Sequence, residues 1–162
     1  MSLVELARSN FDDYLKVIEG LVEDLLRPNE YRLTHENGVP EDLTQELRQH
    51  GLFAMTLPVE YGGLGLTTEQ QARVQMAITR ASCVYRARFS TTVGLVCEGI
   101  LQHGTDQQRK KYLPCLGSGE MTGAFALTEE GAGSDAAAVT STAVLDGDAY
   151  VINGAKRYIT NA

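Results

Sequence analysis

The 162 residues are 43% hydrophobic and 22% charged, with 16 glycines, 4 prolines and no tryptophan, a balance that excludes disordered, collagen-like and coiled-coil classes and supplies enough apolar residues for one well-buried core and a second small domain. A formal net charge of -7 argues against nucleic acid as a partner, because neutralising phosphates requires a basic surface. Cys83, Cys97 and Cys115 are odd in number and widely spaced, so they outline neither a disulfide framework nor a zinc knuckle and fit a reducing compartment.

The first residues, MSLVELARSNFDDYLKVIEG, hold no basic segment followed by an apolar run, and no stretch approaches the ~18 apolar residues of a membrane span. The expectation is a cytoplasmic protein with no membrane span. Leu3, Ala7, Tyr14, Ile18, Leu21, Val22, Leu25 and Leu26 recur at helical spacing, which predicts one amphipathic helix stopped by Pro28. Pro40, Glu41 and Asp42 suit the first turn of a short helix with Leu43 and Leu47 on one face and Gly51 at its end.

LPVEYGGLGLTT, residues 57 to 68, reads as a loop. It closes on Thr67 with Gln70 three residues later, a capping box that predicts a helix from about 68 to 87. A further helix is expected over 90–103, closed by Gly104. Thr105 and Gln108 repeat the box and open a short helix that Pro114 ends.

Past Gly119 the period changes. AFALT is short and apolar, and Asp146-Gly147 and Asn153-Gly154 each sit between apolar or β-branched runs as hairpin signals, so the last stretch reads as antiparallel β. The fold class is α+β, with an all-α helical domain over 1–119 and the first strands of an antiparallel, barrel-like β domain over 120–162.

Within that second region GAGSDA, residues 131 to 136, satisfies the G-x-G-x-x-A form of a dinucleotide fingerprint. The fingerprint needs a helix after the glycines, and hairpins follow instead, so no βαβ unit forms around it. Gly131 and Gly133 are then open to two readings: a loop whose amides approach a ligand closely, or a tight crossover with no ligand. His35, His50 and His103 share no metal spacing, and no metal is assigned. Arg109-Lys110-Lys111 reads as a solvated helix face, with a ligand's phosphate as the alternative partner.

Four segments carry a resemblance. GAFALTEEGAGSDAAAVTS resembles the acyl-CoA dehydrogenase signature, and VINGAKRYITNA is similar to that family's segment ending in Lys-x-Trp-Ile-Thr-Asn. LPVEYGGLGL resembles its Pro-Glu-Glu-Tyr-Gly-Gly-Leu-Gly loop, and GTDQQRKKYLPCLGSGE the stretch joining its helical and β domains.

The resemblance implies FAD as cofactor, with Phe125 against the isoalloxazine, Leu127 offering backbone groups to the pyrimidine ring and the Thr128 hydroxyl bonding to it. It further implies that Gly133 and Ser134 lie on the phosphate or thioester side, that Tyr158 and Ile159 flank the ring, and that the Thr160 hydroxyl bonds the nitrogen that accepts a hydride. Ser134, Thr91 and Leu95 are the implied substrate contacts. Tyr158 stands where the family mostly has Trp, and Glu130 where it mostly has Pro.

The implied activity is α,β-desaturation of an acyl-CoA thioester in fatty acid metabolism, with electrons passed to an electron-transferring flavoprotein or another acceptor and with a homo-oligomeric full-length protein. The family's catalytic base lies in a carboxy-terminal helical domain, so no catalytic base is assigned among these residues. The chain is expected to be the amino-terminal part of such an enzyme and inactive alone. Alternatives are an acyl-CoA oxidase or flavin monooxygenase relative, and a non-catalytic binding module that keeps the fold.

Overall fold

The computed structural model describes residues 2–162, which divide into two compact units, one ending at Gly123 and the other Ala124–Ala162. The regular elements of the first unit are all helical. Ser2 and Glu5 form a capping box that starts α1, Leu3–Ser9, and Asn10 ends it. Asn10 also caps α2, Phe11–Leu21, its side-chain oxygen accepting from the Asp13 amide at 3.3 Å. The single helix read from the apolar spacing is therefore two, because an Asn side chain competes for backbone donors and favours a cap over a helix interior.

The chain widens to a π-helical turn at Val22–Leu26 and tightens to a 3-10 turn at Arg27–Asn29. Pro28 does not stop it: the ring occupies a new first turn, where a missing N–H is harmless, and α3 continues over Glu30–His35. Asn37 and Gly38, both at positive φ, close α3, with the Gly38 amide reaching back to the Leu33 carbonyl. α4, Glu41–Gln49, starts behind Pro40 as expected.

Residues 57–67 form a loop around a 3-10 turn, and Gly63 is its tightest point. A Cβ at Gly63 would lie 1.8 Å from the Leu57 carbonyl oxygen, so only glycine lets these strands of loop pass. The capping box at Thr67 and Gln70 then opens α5, Thr68–Ile78, with both reciprocal bonds made.

The predicted 68–87 helix breaks early, over 79–82, and α6, Cys83–Thr91, begins with Ser82 as its cap. From Cys83 the chain is helical without interruption to His103, through a π-helical stretch at Thr92–Cys97 and α7, Glu98–His103. The separate helix expected to start at residue 90 is thus the second half of this run. α8, Asp106–Gly117, carries Pro114 inside it. Pro114 removes one amide donor without ending the helix, since burial of Leu113 and Leu116 favours the last turn and the Ser118 amide bonds the Pro114 carbonyl at 2.9 Å.

Two apolar cores hold this unit. The larger gathers Tyr14, Ile18, Leu26, Leu47, Phe53, Ile78, Tyr85, Phe89 and Val93, and the smaller Ala54, Leu57, Cys97, Leu113 and Leu116. Burying each large side chain is worth about 1.5–3 kcal/mol, before the cost of ordering it.

The second unit holds one hairpin, β1 at Thr142–Asp146 and β2 at Ala149–Asn153, paired antiparallel with Asp146 opposite Ala149. The turn residues are Gly147 and Asp148, and Gly147 sits at φ 64 in the first central position. Two expectations fail here. AFALT forms no strand, and among the described residues no second hairpin forms around Asn153-Gly154. Gly154 serves a close approach instead, since a Cβ there would lie 2.0 Å from the Ser141 hydroxyl oxygen. Among the described residues no helix is long and apolar enough to cross a membrane, and no group of His, Cys, Asp and Glu could hold a metal ion.

Candidate functional site

The 124–162 unit is organised around one carboxylate. Glu129 is only 7% exposed, and its Oε2 accepts from the Thr140 amide (2.8 Å) and hydroxyl (2.7 Å). Its Oε1 accepts from the Ser141 amide (3.0 Å), the Ser141 hydroxyl (2.5 Å) and Lys156 Nζ (2.8 Å). A carboxylate this enclosed requires such a set of donors. The Lys156 ammonium first, then the Ser141 and Thr140 donors, hold its carboxyl well below the usual carboxylate range.

The same contacts bring the two expected cofactor segments side by side. The Arg157 amide donates to the Thr128 carbonyl at 2.8 Å, and Lys156 Nζ donates to the Leu127 carbonyl at 3.1 Å. Residues 127–129 and 156–157 thereby lie together although nearly thirty positions separate them.

On this frame Phe125, Leu127 and Tyr158 are exposed, Tyr158 by 88%. Tyr158 stands at φ 58, in the left-handed region that bulky residues seldom adopt. Ile159 is half-buried, and Thr160 is exposed. Among the described residues the Thr128 and Thr160 hydroxyls and the Leu127 and Thr128 amides have no hydrogen-bond partner. The paired segments therefore carry Leu127, the Leu127 and Thr128 amides and the Thr128 hydroxyl beside the chain that leads into Tyr158.

Gly133 and Ser134 are exposed on the loop after the buried Ala132, and a Cβ at Gly131 or Gly133 would meet nothing within 4 Å. The loop is closed by the Glu129 amide to the Ala132 carbonyl at 3.0 Å and by Asp135, whose side chain accepts from the Ala137 amide at 3.1 Å. The extra carboxylate of Glu130 turns to Arg157, 3.1 Å away.

In the helical unit, Thr91 ends α6 half-buried, and Leu95 is 49% exposed on the π-helical stretch. The neighbouring Thr92 hydroxyl is buried and accepts from the Gly123 amide at 3.2 Å. The Glu129 cluster with Thr140, Ser141 and Lys156 is what sequence reasoning missed, since its members show no local spacing.

Comparison with known proteins agrees with this architecture. Residues 12–120 match the acyl-CoA dehydrogenase N-terminal domain and residues 124–162 the acyl-CoA dehydrogenase middle domain. The chain belongs to the acyl-CoA dehydrogenase family, and its fold is the one the sequence led us to expect, a helical amino-terminal unit followed by a short antiparallel sheet.

A 3-(aryl)acrylate reductase of Clostridium sporogenes is 43% identical over 123 residues, covering 76% of this chain and 33% of the relative. A glutaryl-CoA dehydrogenase of Desulfococcus multivorans is 35% identical over 150 residues, covering 91% and 39%. An acyl-CoA dehydrogenase from Bacillus anthracis, solved in complex with FAD, is similar with a TM-score of 0.81 at 34% identity, covering 94% of this chain and 26% of that one. The chain thus spans between a third and two-fifths of the length of the two curated relatives.

Proposed function

We propose that these residues form the flavin-facing edge and part of the acyl pocket of an FAD-dependent acyl-CoA dehydrogenase that desaturates an acyl-CoA thioester between its α and β carbons. The observation that carries this reading is the bonded pairing of 127–129 with 156–157, which sets an exposed aromatic ring, an aliphatic side chain and free donors on one edge. Such an edge suits a flat heterocycle with polar groups on its rim.

In this reading Phe125, Tyr158 and Ile159 lie against the ring system, and the Leu127 amide and Thr128 hydroxyl meet its pyrimidine rim. The Thr160 hydroxyl bonds the reactive nitrogen, while Gly133 and Ser134 face the phosphate or thioester side. Bound FAD supplies the hydride acceptor. Thr91 and Leu95 are the substrate contacts that the helical unit contributes in this reading. The proton leaving the α-carbon goes to a base outside these residues: Glu129 is locked by its five hydrogen bonds and Glu130 is paired to Arg157. The 162 residues alone therefore give no turnover. Electrons leave to an electron-transferring flavoprotein or another acceptor.

The similarity to a 3-(aryl)acrylate reductase supports a second reading, in which the same edge delivers a hydride to the β-carbon of an unsaturated acyl group. The complete gene product, titrated with FAD by fluorescence quenching and then mixed without oxygen with saturated or unsaturated acyl-CoAs, separates the two. Bleaching of oxidised flavin by saturated acyl-CoAs is the expected result. Reoxidation of pre-reduced flavin by 3-arylacrylyl thioesters, with no bleaching, selects the reductase, and absence of FAD binding overturns both.

A further inference from the structure

Lys156 occupies an unusual position between a carboxylate and a carbonyl. Its Nζ is 2.8 Å from Glu129 Oε1 and 3.1 Å from the Leu127 carbonyl oxygen, and its side chain is only 24% exposed. Leu127 leads directly into Thr128, and Lys156 precedes Tyr158 by two residues. One ammonium group thus ties together the two backbone segments whose exposed groups make up the edge.

The Glu129 end of the tie is rigid. Its remaining four acceptor contacts run to Thr140 and Ser141, on the approach to β1, so the carboxylate is anchored independently of Lys156. The Glu130 to Arg157 pair bridges the same segments but is far more open, with side chains 80% and 51% exposed, and solvent screening leaves such a pair little strength. The enclosed pair, not the exposed one, sets the spacing.

We propose that Glu129 and Lys156 are the positioning pair of the flavin edge: they fix the separation of 125–128 from 158–160 and keep the charge beneath that edge balanced. This inference rests on the flavin reading above. Neither residue touches the ring; they act through Leu127, Thr128 and Tyr158, as the supporting shell of a preorganised site does. A balanced pair contributes almost no net field at the ring. Removing one member leaves the other's charge beside it, where low exposure keeps screening weak.

The test uses the complete gene product with FAD, comparing wild type with Glu129→Gln, Lys156→Met, Lys156→Arg and, as control, Glu130→Gln. Both Glu129→Gln and Lys156→Met are expected to weaken FAD binding at least about tenfold, since loss of alignment removes several small contacts together. Lys156→Arg retains the pair and Glu130→Gln leaves it untouched, so both stay within about twofold of wild type.

The midpoint potential of the bound flavin separates positioning from folding. Glu129→Gln leaves an unpaired cation, which favours the more negative reduced flavin and raises the potential; Lys156→Met leaves an unpaired anion and lowers it. A loss of packing alone moves both variants in one direction, and that result overturns the proposal, as do wild-type affinity and potential in both. If Glu129→Gln does not fold, Lys156→Met against Lys156→Arg decides alone. Wild type that binds no FAD removes the flavin reading itself, and the positioning role falls with it.

Discussion

The Tyr85 hydroxyl donates a 2.9 Å hydrogen bond to the carbonyl of Leu26, 59 positions earlier, at the point where the helix passes from a π-helical to a 3-10 turn. Tyr85 is fully buried, and desolvation, its main influence, pushes its pKa up to about 12. Tyr14 does the same for the His50 carbonyl at 2.8 Å. Both tyrosines therefore fill the core while their hydroxyls donate to backbone carbonyls at turns in the chain.

Tyr85→Phe keeps the ring and removes the hydroxyl's bond while the 3-10 turn's own amide still donates to the Leu26 carbonyl, so the loss is that of one hydrogen bond, about 0.5–1.5 kcal/mol. Urea denaturation should show a lower midpoint with an unchanged slope. A midpoint within error of wild type would mean that the hydroxyl's bond adds nothing to stability beyond the turn's own amide.

Gly63→Ala is the more damaging of two neighbouring changes. Its Cβ would meet the Leu57 carbonyl at 1.8 Å, whereas at Gly62, φ 82, nothing lies within 4 Å. Displacing loop backbone costs about 3 kcal/mol, against roughly 1–2 kcal/mol for alanine in the left-handed region at Gly62. Equal losses in melting temperature for the two variants would contradict this backbone approach.

How much of this was legible in the sequence depended on how local each cause was. The boxes at Thr67 with Gln70 and Thr105 with Gln108 are three-residue signals, and both helices start where those signals stand. The hairpin formed at Gly147, one residue along from where Asp146-Gly147 pointed as a pair, because the first central position is the one that needs glycine.

The breaks at Asn10 and over 79–82 escaped because apolar spacing runs straight across them, and only a cap's geometry reveals them. Pro114 looked like a stop because propensity ignores the burial of Leu113 and Leu116. At the site, resemblance pointed to the exposed edge. Glu129 and Lys156 stand 27 positions apart and could be paired only in three dimensions.

Glu129 makes the β unit acid-sensitive. Its folded carboxyl binds a proton less readily than its usual value of 4.5, so below about that pH the unfolded state takes up more protons and stability falls with pH. The stabilisation is complete above that value and drains away toward the depressed folded one. Protection factors for the Thr140 and Ser141 amides, followed by hydrogen exchange from neutral pH to pH about 3, should drop in wild type and stay flat in Glu129→Gln. Parallel profiles would assign the acid response to other carboxylates.

Thr160→Ala tests the outer edge of the site. In the flavin-loaded protein, loss of a hydrogen bond to the reactive nitrogen should shift the flavin's absorption and its rate of reduction, with a barrier change of about 1 kcal/mol, or roughly fivefold in rate. Thermal stability should not change, since the residue is exposed and its hydroxyl has no partner among the described residues. An unaltered spectrum and reduction rate would remove Thr160 from the site.

The wide turn at Thr92–Cys97 bears on how the helical unit could be altered. Before it and at its start, Tyr85, Phe89 and Val93 face the larger core; at its end and after it, Cys97, Ile100 and Leu101 face the smaller. A π turn carries one residue more than the α turn it replaces, and one residue is about 100° of rotation. Deleting Gly94, whose surroundings are open, would leave both halves of the run helical and every apolar residue in place. It would nonetheless swing α7 by that angle and turn Ile100 and Leu101 away from Leu57, Leu113 and Leu116. The two cores are phased to each other by a single surplus residue, so this segment tolerates exchange of side chains far better than any change in its length.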